Sequence, residues 1–186
     1  YDFIRILEAK QPKFFLAENV SGMLISKHTE ALEGIKELFR NAGIGYELSF
    51  KMLNASDYNV PQDRKRVFFI GIRKDLDFKY QFPTETFPKI TLESAISDLK
   101  EGVLPALEYN NTNGENCVLP NHEYMIGSFS SIFMSRNRVR SWDEQSYTIQ
   151  AGGRHAPIHP QAPKMKFIEQ NIRVFVPGKE HLYRRL

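Results

Sequence analysis

The order of apolar patterns in the first hundred residues constrains the fold of this chain more than any other feature. Residues 14–17 form a short continuous apolar run, which is typical of a strand buried on both faces. A helix is predicted from Ser26 onward, because apolar side chains then recur at three- and four-residue spacings as far as Phe39. Ser26 or Thr29 can cap its start, and residues 41–43 can end it. A strand, a loop and a helix in this order predict a β/α unit of a mostly parallel sheet.

Further elements complete the pattern of this first half. Residues 1–10 are typical of the tail of a helix, which the proline at position 12 limits. Alternating polar and apolar residues over 46–52 indicate a strand with unlike faces, and the apolar run over 67–72 indicates another. The linker between them, which contains residues 59–63, favours a hairpin or a long-looped pair. A short capped helix is predicted over 91–99.

A change in composition near residue 100 indicates a domain boundary. Residues 110–116 are polar and rich in turn formers, and the later elements are short and separated by loops. With 186 residues and 41% hydrophobic content, the chain can bury one sizeable core with a small appended lobe. The sequence therefore predicts an α/β domain over 1–100 and a smaller, loop-rich domain over 101–186.

Composition also excludes several classes of protein. The single cysteine, Cys117, excludes an internal disulfide framework and a multi-cysteine zinc site, and it favours an intracellular location. No apolar stretch approaches the ~20 residues of a membrane span, and no secretory signal opens the chain. The first seven residues resemble the middle of a domain. His122, His155 and His159 lack metal-ligand spacing with carboxylates or thiols, so no metal site is predicted.

The charge distribution is uneven, although the net charge is only +3. Residues 84–123 hold seven acidic side chains against two basic ones, and residues 134–186 hold ten Lys or Arg against four acidic residues. This asymmetry favours a face that binds a polyanion. An ordinary mixed surface explains the same pattern about equally well.

Glu18 and Asn19 directly follow the apolar run at 14–17. In α/β sheets functional side chains gather where strands end, so this pair is a candidate for catalytic residues. The alternative is a Glu-Asn pair that caps a helix in a common turn.

The pattern Gln62-x-Arg64-x-Arg66 leads into the later apolar run. Alternate residues of an extended segment point the same way, so the two guanidinium groups can share one site for a phosphate and a ring oxygen. A carboxylate, an amide and alternating arginines suit an enzyme that grips a pyrimidine and its phosphate. The alternative is a solvated basic turn before a strand.

Together with residues 140–154, these blocks resemble those of the DNA cytosine-5 methyltransferases. The resemblance covers nearly the whole chain, but only the later part of such an enzyme. It implies an α/β fold, with a partial S-adenosylmethionine-dependent methyltransferase sheet of Rossmann-like type over 1–100. Residues 101–186 would form a small, irregular, mostly β target-recognition domain and return toward the catalytic domain. Gly152 and Gly153 there permit tight or left-handed backbone and a close approach to DNA.

The resemblance implies a reaction at carbon C5 of a cytosine that has left the duplex. In this family a cysteine thiolate attacks C6, C5 takes the methyl group of S-adenosylmethionine, and loss of the C5 proton releases the enzyme. Glu18 matches the glutamate that holds the N3/N4 edge of the ring, and Asn19 matches the amide that shapes the active-site loop. Gln62, Arg64 and Arg66 match the family's Gln-x-Arg-x-Arg block.

The resemblance also assigns sequence reading to three arginines. Arg136, Arg138 and Arg154 match residues that face guanines in bacterial enzymes that methylate GGCC-type sites, and arginine reads guanine bidentately. The alternative for these side chains is contact with phosphates alone. Arg140 is assigned a structural or phosphate-binding role.

The chain departs from the family pattern in two places. The family's nucleophile lies in a Pro-Cys loop upstream of the glutamate, whereas Cys117 lies downstream of Glu18, so Cys117 is not expected to be the nucleophile. The glycine-rich cofactor loop is also absent, so no residue is assigned to S-adenosylmethionine. We therefore expect a fragment that is inactive alone, and whose partners are double-stranded DNA and the missing N-terminal half of the enzyme.

The sequence is consistent with three candidate functions. The first is the target-gripping and sequence-reading part of a cytosine-5 methyltransferase of a restriction–modification system, a cytoplasmic protein of bacterial or phage origin. The second is a non-catalytic DNA-binding module or remnant, which would not need the intact Glu18 and Arg64 blocks. The third is a soluble α/β domain without either role.

Overall fold

The computed structural model of the protein describes residues 2–119, 122–124, 126, 140–149, 160, 162–170, 172–182 and 184–185. The chain divides into two compact units. The first comprises Tyr1–Tyr58 and Arg64–Phe87, and the second comprises Asn59–Asp63 and Pro88–Leu186. Residues 59–63 thus belong to the second unit, although the first flanks them in sequence. The functional division near residue 100 stays a prediction.

Regular elements are short, and the longest of them lie in the first unit. The α-helices among the described residues are α1 (Asp2–Lys10), α2 (Thr29–Asn41) and α3 (Leu92–Ile96). In the same part of the chain the strands are β1 (Phe14–Val20), β2 (Tyr46–Asn54), β3 (Gln62–Asp63), β4 (Lys65–Arg73), β5 (Leu104–Pro105), β6 (Glu123–Tyr124), β7 (Ser146–Tyr147), β8 (Lys166–Glu169), β9 (Ile172–Val174) and β10 (Arg184–Arg185).

The first unit contains a three-stranded sheet in the order β1-β4-β2. Strand β4 pairs antiparallel with both neighbours. β1 and β2 therefore run in the same direction, as a β/α unit requires, but β4 lies between them. The prediction of a mostly parallel sheet is wrong for these strands, whereas the predicted pairing of the two later strands is confirmed. Only residues 55–64 join β2 to β4, and a parallel crossover needs about a dozen residues or more.

The two longer helices begin and end close to the predicted positions. α1 ends before the proline, as predicted. Residues 26–28 form a 3-10 turn, so α2 starts at Thr29, whose hydroxyl donates to the Ser26 carbonyl at 2.9 Å. Neither predicted capping residue caps the helix with its side chain. α2 ends at Asn41, and Gly43, with a φ of 61°, leads the chain toward β2.

Aromatic side chains form the core on one face of this sheet. The Phe15 ring lies 4.8 Å from that of Phe39 and 5.1 Å from that of Tyr46, between centroids. Phe69 of β4 joins the cluster 5.8 Å from Phe39. Position 71 must be glycine for this packing, because a Cβ on Gly71 would lie 2.1 Å from the Phe15 ring. The other buried members of this core are Leu7, Leu32, Ala42 and Val67.

The opposite face of β1 is open to solvent. Phe14 is 67% exposed and Leu16 is 56% exposed, whereas Phe15 between them is 5% exposed. β1 also lies at the edge of its sheet, and no strand in the described part of the chain pairs with its other side. The expectation that this run is buried on both faces is therefore wrong.

The second unit is irregular, with three small sheets among its described residues. β5 pairs parallel with β6 and β6 antiparallel with β10; β3 and β7 are parallel, and β8 and β9 antiparallel. The predicted short capped helix is confirmed as α3, where the hydroxyl of Thr91 accepts a hydrogen bond from the backbone N–H of Ser94 at 3.3 Å. Across the described ranges, no helix is long and apolar enough to span a membrane.

Candidate active site

The end of β1 carries Glu18 on one face of the sheet and Asn19 on the other. Side chains alternate along a strand, so Glu18 lies on the face opposite the aromatic core. In the antiparallel register, Glu18 is opposite Phe68 and Val20 is opposite Arg66. Glu18 and Arg66 are therefore diagonal neighbours on the same face, at a spacing that long side chains can bridge.

An ion pair joins these two diagonal neighbours. Nε of Arg66 lies 2.6 Å from Oε1 of Glu18, and Nη1 of Arg66 donates to the Lys65 carbonyl at 2.9 Å. The Arg66 side chain is 20% exposed and the Glu18 side chain 42% exposed. The guanidinium thus compensates the charge of the carboxylate and holds it in place, while solvent still reaches Glu18.

Arg64 is positioned by its backbone rather than by its side chain. Its N–H donates to Oδ1 of Asn54 at 2.9 Å, and its carbonyl accepts from the N–H of Ala55 at 3.0 Å. These bonds fix the residue that precedes β4. Within the described residues the Arg64 guanidinium forms no ion pair. The two arginines of the motif therefore differ, because Arg66 is paired with a carboxylate, whereas no carboxylate of the described residues pairs with Arg64.

A cavity of about 340 Å³ lies among these side chains. Ligand pockets commonly measure about 300–1,000 Å³ and combine an apolar lining with a few polar groups. Glu18, Arg64 and Arg66 supply the charged groups here, and the remaining lining residues are Leu53, Ala55, Tyr58, Phe68 and Pro83. The structure therefore brings three of the sequence-predicted catalytic residues around one cavity of ligand size. Their catalytic roles stay predictions.

Asn19 is not among the residues that line this cavity. It lies inside β1 rather than after the strand, and its Oδ1 accepts a hydrogen bond from the backbone N–H of Val20 at 2.8 Å. It lines instead a groove of about 940 Å³, together with residues of α1 and α2 such as Phe3 and Leu38. The bond to Val20 fixes the backbone where β1 ends, and the loop-shaping role of Asn19 stays a prediction.

Gln62 belongs to the second unit. Gln62 and Asp63 form β3, which pairs parallel with Ser146 and Tyr147 of β7. The hydroxyl of Thr148 also donates to the Asp63 carbonyl at 2.7 Å. Two of the three sequence blocks that carry the resemblance are thus joined directly within this unit.

Arg140 has a structural role in this unit. Its Nη1 donates to Oε1 of Glu144 at 2.9 Å and its Nη2 to Oδ2 of Asp63 at 3.1 Å, and its Cζ lies 4.0 Å from the centroid of the Tyr147 ring. The two carboxylates already compensate the charge of this guanidinium and accept hydrogen bonds from both of its terminal nitrogens, which weakens its attraction for a phosphate. Of the two roles left open for Arg140, these contacts support the structural one. Asp63 and Glu144 were not predicted as site residues.

Glu144 is expected to make the stability of the chain depend on acidic pH. The pKa of its carboxyl group falls from 4.5 to about 2, first because the backbone and hydroxyl of Ser141 donate hydrogen bonds to it and then because Arg140 does. A carboxylate whose pKa is lowered on folding stabilises the fold above its unfolded pKa, and that contribution disappears as the pH falls from 4.5 toward 2. Glu144→Gln should therefore lower the urea midpoint near neutral pH, and the difference should shrink steadily below about pH 4.5.

Urea unfolding at a series of pH values measures this effect. Glu101→Gln is the matched control, because Glu101 is an exposed acidic residue of the same unit. The urea midpoint of the control should equal that of the unsubstituted chain at every pH. A constant difference between Glu144→Gln and the unsubstituted chain across the acidic range would show that the carboxylate charge does not stabilise this unit.

The predicted recognition residues lie outside the described residues. These are Arg136, Arg138, Gly152, Gly153 and Arg154. Cys117 is described, and its half-buried thiol donates to the His122 carbonyl at 3.5 Å. Over the described ranges, no group of three or more His, Cys, Asp or Glu side chains is placed to hold a metal ion.

The sequence of the whole chain matches known methyltransferases. Residues 1–186 match the family model described as C-5 cytosine-specific DNA methylase. The chain is 51% identical to the type II methyltransferase M.FnuDI of Fusobacterium nucleatum, 52% identical to M.NgoPII of Neisseria gonorrhoeae and 53% identical to M.MthTI of Methanothermobacter thermautotrophicus. All of this chain is covered in each comparison, but only 54%, 54% and 56% of the relatives, respectively. The chain thus spans about half the length of these relatives.

A solved structure shares the fold. It is the crystal structure of a DNA modification methyltransferase encoded within a prophage of E. coli, with a TM-score of 0.57 and 20% sequence identity. The match covers 98% of this chain and 64% of that protein, so the sheet and the irregular unit are part of a methyltransferase fold. From its sequence match over residues 1–186, the chain belongs to the C-5 cytosine-specific DNA methylase family.

Proposed function

We propose that this chain is the part of a restriction–modification cytosine-5 DNA methyltransferase that holds the extruded target cytosine and reads a GC-rich site. The observation that carries the proposal is the cavity lined by Glu18, Arg64 and Arg66 in a member of this family. A module that only bound DNA would not need a cavity with a carboxylate and two guanidinium groups.

The charges around the cavity suit a cytosine ring. A carboxylate only accepts hydrogen bonds, so Glu18 can hold the exocyclic amino group and a protonated N3 of the ring. Arg64 can donate to the ring oxygen O2 or to the phosphate of the same nucleotide. Arg66 keeps the Glu18 carboxylate oriented before a base arrives. Once a ring fills the cavity, the apolar lining would keep water from it, and both polar contacts would become stronger in that environment.

S-adenosylmethionine is the methyl donor that this family implies, and its binding residues are proposed to lie mostly in the N-terminal part of the enzyme. Nucleotide-like cofactors need glycine backbone beside the end of a strand, where the ligand can approach closely. The space beside the two most crowded of the described glycines is occupied by the protein's own side chains. A Cβ on Gly43 would meet Gln11, and a Cβ on Gly71 would meet Phe15. We therefore assign no residue of this chain to the cofactor.

The rest of the enzyme is the proposed protein partner. β1 exposes Phe14 and Leu16 at the edge of its sheet, and the groove of about 940 Å³ beside it has mostly apolar side chains in its lining. Exposed apolar surface next to an unpaired strand edge is typical of an interface. The relatives M.FnuDI and M.MthTI extend well beyond the segment that this chain matches, and their remaining part is the proposed source of such a partner.

Double-stranded DNA is the proposed substrate. The basic residues after position 134 would approach its phosphates, and Arg136, Arg138 and Arg154 would read the guanines of a GGCC-type site. Gly152 and Gly153 would allow close approach of the backbone. The bacterial cytoplasm is the proposed location.

Co-expression of this chain with the remaining part of M.FnuDI tests the proposal. We expect transfer of labelled methyl groups from S-adenosylmethionine to duplexes that contain GGCC, and none from either polypeptide alone or to duplexes with a scrambled site. Binding of duplex DNA without methyl transfer would favour the alternative, a non-catalytic DNA-binding module. If the co-expressed polypeptides neither bind duplex DNA nor transfer methyl groups to it, the proposal is overturned.

A further inference from the structure

Residues 80–86, here called the strap, run beside β2 and the turn that follows it. Near its start, the Ser49 hydroxyl donates to the Tyr80 carbonyl at 3.0 Å. In its middle, the Tyr58 hydroxyl donates to the Pro83 carbonyl at 3.3 Å. At its end, the N–H and the hydroxyl of Thr86 donate to the Asp57 carbonyl at 2.8 and 3.1 Å. Nζ of Lys51 also lies 3.8 Å from Oε1 of Glu85. The strap has no regular secondary structure, yet it is held at both ends and in its middle.

Tyr58 joins the strap to the cavity beside Glu18. Tyr58 and Pro83 both line that cavity, and the bond between them places a strap residue against it. Tyr58 also ends the 3-10 turn Ala55–Tyr58, whose first residue is bonded to the backbone of Arg64. The aromatic ring of Tyr58, the backbone of Arg64 and the strap are therefore held by one short stretch of chain.

We infer that Tyr58 and Pro83 form the wall on which the ring of the extruded pyrimidine packs, and that their hydrogen bond sets the width of the cavity. The inference rests on the proposed function and extends it to a residue outside the two sequence motifs. Since the Tyr58 hydroxyl is engaged by the Pro83 carbonyl, its role toward the base is packing rather than proton transfer. Tyr58 would thus determine which ring size fits, while Glu18 distinguishes the polar edge of the ring.

Two general magnitudes support a packing role. Stacking of a base on an aromatic side chain contributes about tenfold or more to affinity and does not depend on which base is present. The volume of about 340 Å³ lies close to the lower end of the range for ligand sites, and the hydrogen bond between Tyr58 and Pro83 opposes its widening. Widening the cavity should therefore reduce both affinity and discrimination by size.

Binding of deoxycytidine 5′-monophosphate to the chain tests the inference, with backbone NMR shifts as the readout. We expect Tyr58→Ala to weaken binding by about tenfold. Tyr58→Phe keeps the ring, so it should bind the cytidine nucleotide within about twofold of the unsubstituted chain. It should, however, lose part of the preference over deoxyguanosine 5′-monophosphate, because the bond to Pro83 is removed.

Tyr109→Ala is the matched control, because Tyr109 is 91% exposed and belongs to the second unit. It should bind the nucleotide like the unsubstituted chain. The dispersion of the NMR spectrum reports whether Tyr58→Ala is folded. If Tyr58→Ala is unfolded, Tyr58→Leu takes its place, because leucine keeps apolar volume without an aromatic face. Tyr58→Leu should also bind the nucleotide more weakly than the unsubstituted chain.

The results separate this inference from the proposed function. Equal binding by Tyr58→Ala and the unsubstituted chain, or no binding by the unsubstituted chain at millimolar nucleotide, would overturn the inference even if the co-expressed enzyme methylates DNA. Tyr58-dependent binding by a chain that yields no active enzyme with M.FnuDI would support the wall and overturn the proposed activity.

Discussion

Glu18→Gln is expected to lower kcat of the assembled methyltransferase by about 10²–10⁴, the range for loss of a positioned acid–base group. Glutamine keeps the size of the side chain, but it replaces one acceptor oxygen with a donor and removes the charge that Arg66 compensates. The target ring would then lose the partner of its protonated N3. Duplex affinity should change by less than about threefold, because the proposed duplex contacts lie elsewhere in the chain.

Methyl-transfer kinetics and duplex binding, measured on the same preparations, distinguish these effects. Glu47→Gln is the matched control, since Glu47 lies on the same sheet face, opposite Ile72 of β4, and its nearest cation is Nζ of Lys79 at 4.0 Å. Exposed ion pairs contribute about 0–1 kcal/mol, so neither substitution should unfold the chain. A parallel loss of duplex binding and of kcat in Glu18→Gln would show that Glu18 is not a catalytic residue.

Phe69→Ala is expected to lower the free energy of unfolding of this chain by about 3–5 kcal/mol, as for other buried phenylalanines. Phe69 is 2% exposed and lies on the central strand β4, with its ring 5.8 Å from the rings of both Phe39 and Phe50. Truncation would remove the contact between the helix layer and the middle of the sheet. Such a loss is a large fraction of the stability of a typical domain, about 5–15 kcal/mol.

Urea denaturation, followed by circular dichroism, measures this loss. Phe87→Ala is the matched control, because Phe87 is 72% exposed and its truncation leaves no cavity. It should change stability by less than about 0.5 kcal/mol. Equal midpoints for Phe69→Ala and Phe87→Ala would mean that the aromatic cluster does not hold the sheet together.

The order and type of the main elements were predictable because each has its own periodicity. The three- and four-residue spacing identified α2, and the alternation over residues 46–52 identified β2. The linker that contains residues 59–63 predicted a hairpin or a long-looped pair, and the pairing of β2 with β4 confirms this. These are local signals, and local signals survive in the fold when the packing agrees with them.

The position of β4 between β1 and β2 and the exposure of β1 were not predictable in this way. Periodicity does not indicate which strands become neighbours, so the pairing of β4 with β1 as well as with β2 was not foreseen. A continuous apolar run indicates burial, but Phe14 and Leu16 have no described side chains packed over them that would bury them. Their apolar character is consistent with the proposed partner surface.

For the candidate site, the sequence motifs predicted which residue types converge but not how the charges pair. The alternate spacing of Arg64 and Arg66 predicted that both serve one site, and both line the cavity. Only the register of β1 against β4 makes Arg66 the partner of Glu18. Tyr58 carries no motif, and it is found through the long-range contact of its hydroxyl with Pro83.

The contacts of Arg140 were only partly predictable, because one of its carboxylate partners is near in sequence and the other is distant. Arg140 and Glu144 have the four-residue spacing of an ion pair, and Asp63 lies inside the Gln62-x-Arg64 block. Nothing in the sequence connects residues so far apart, because their contact depends on the parallel pairing of β3 with β7. This is why a role for Arg140 in phosphate binding could not be separated from a structural one beforehand.

The central position of β4 affects how this chain emerges from the ribosome. β1 and β2 both pair with β4 and not with each other, although they are translated before it. A nascent chain that has emerged only to the turn after β2 therefore lacks the strand with which both β1 and β2 pair, and strands that wait for a partner are prone to aggregate. Emergence of Arg73, the last residue of β4, is the earliest moment at which these three strands can close into a sheet.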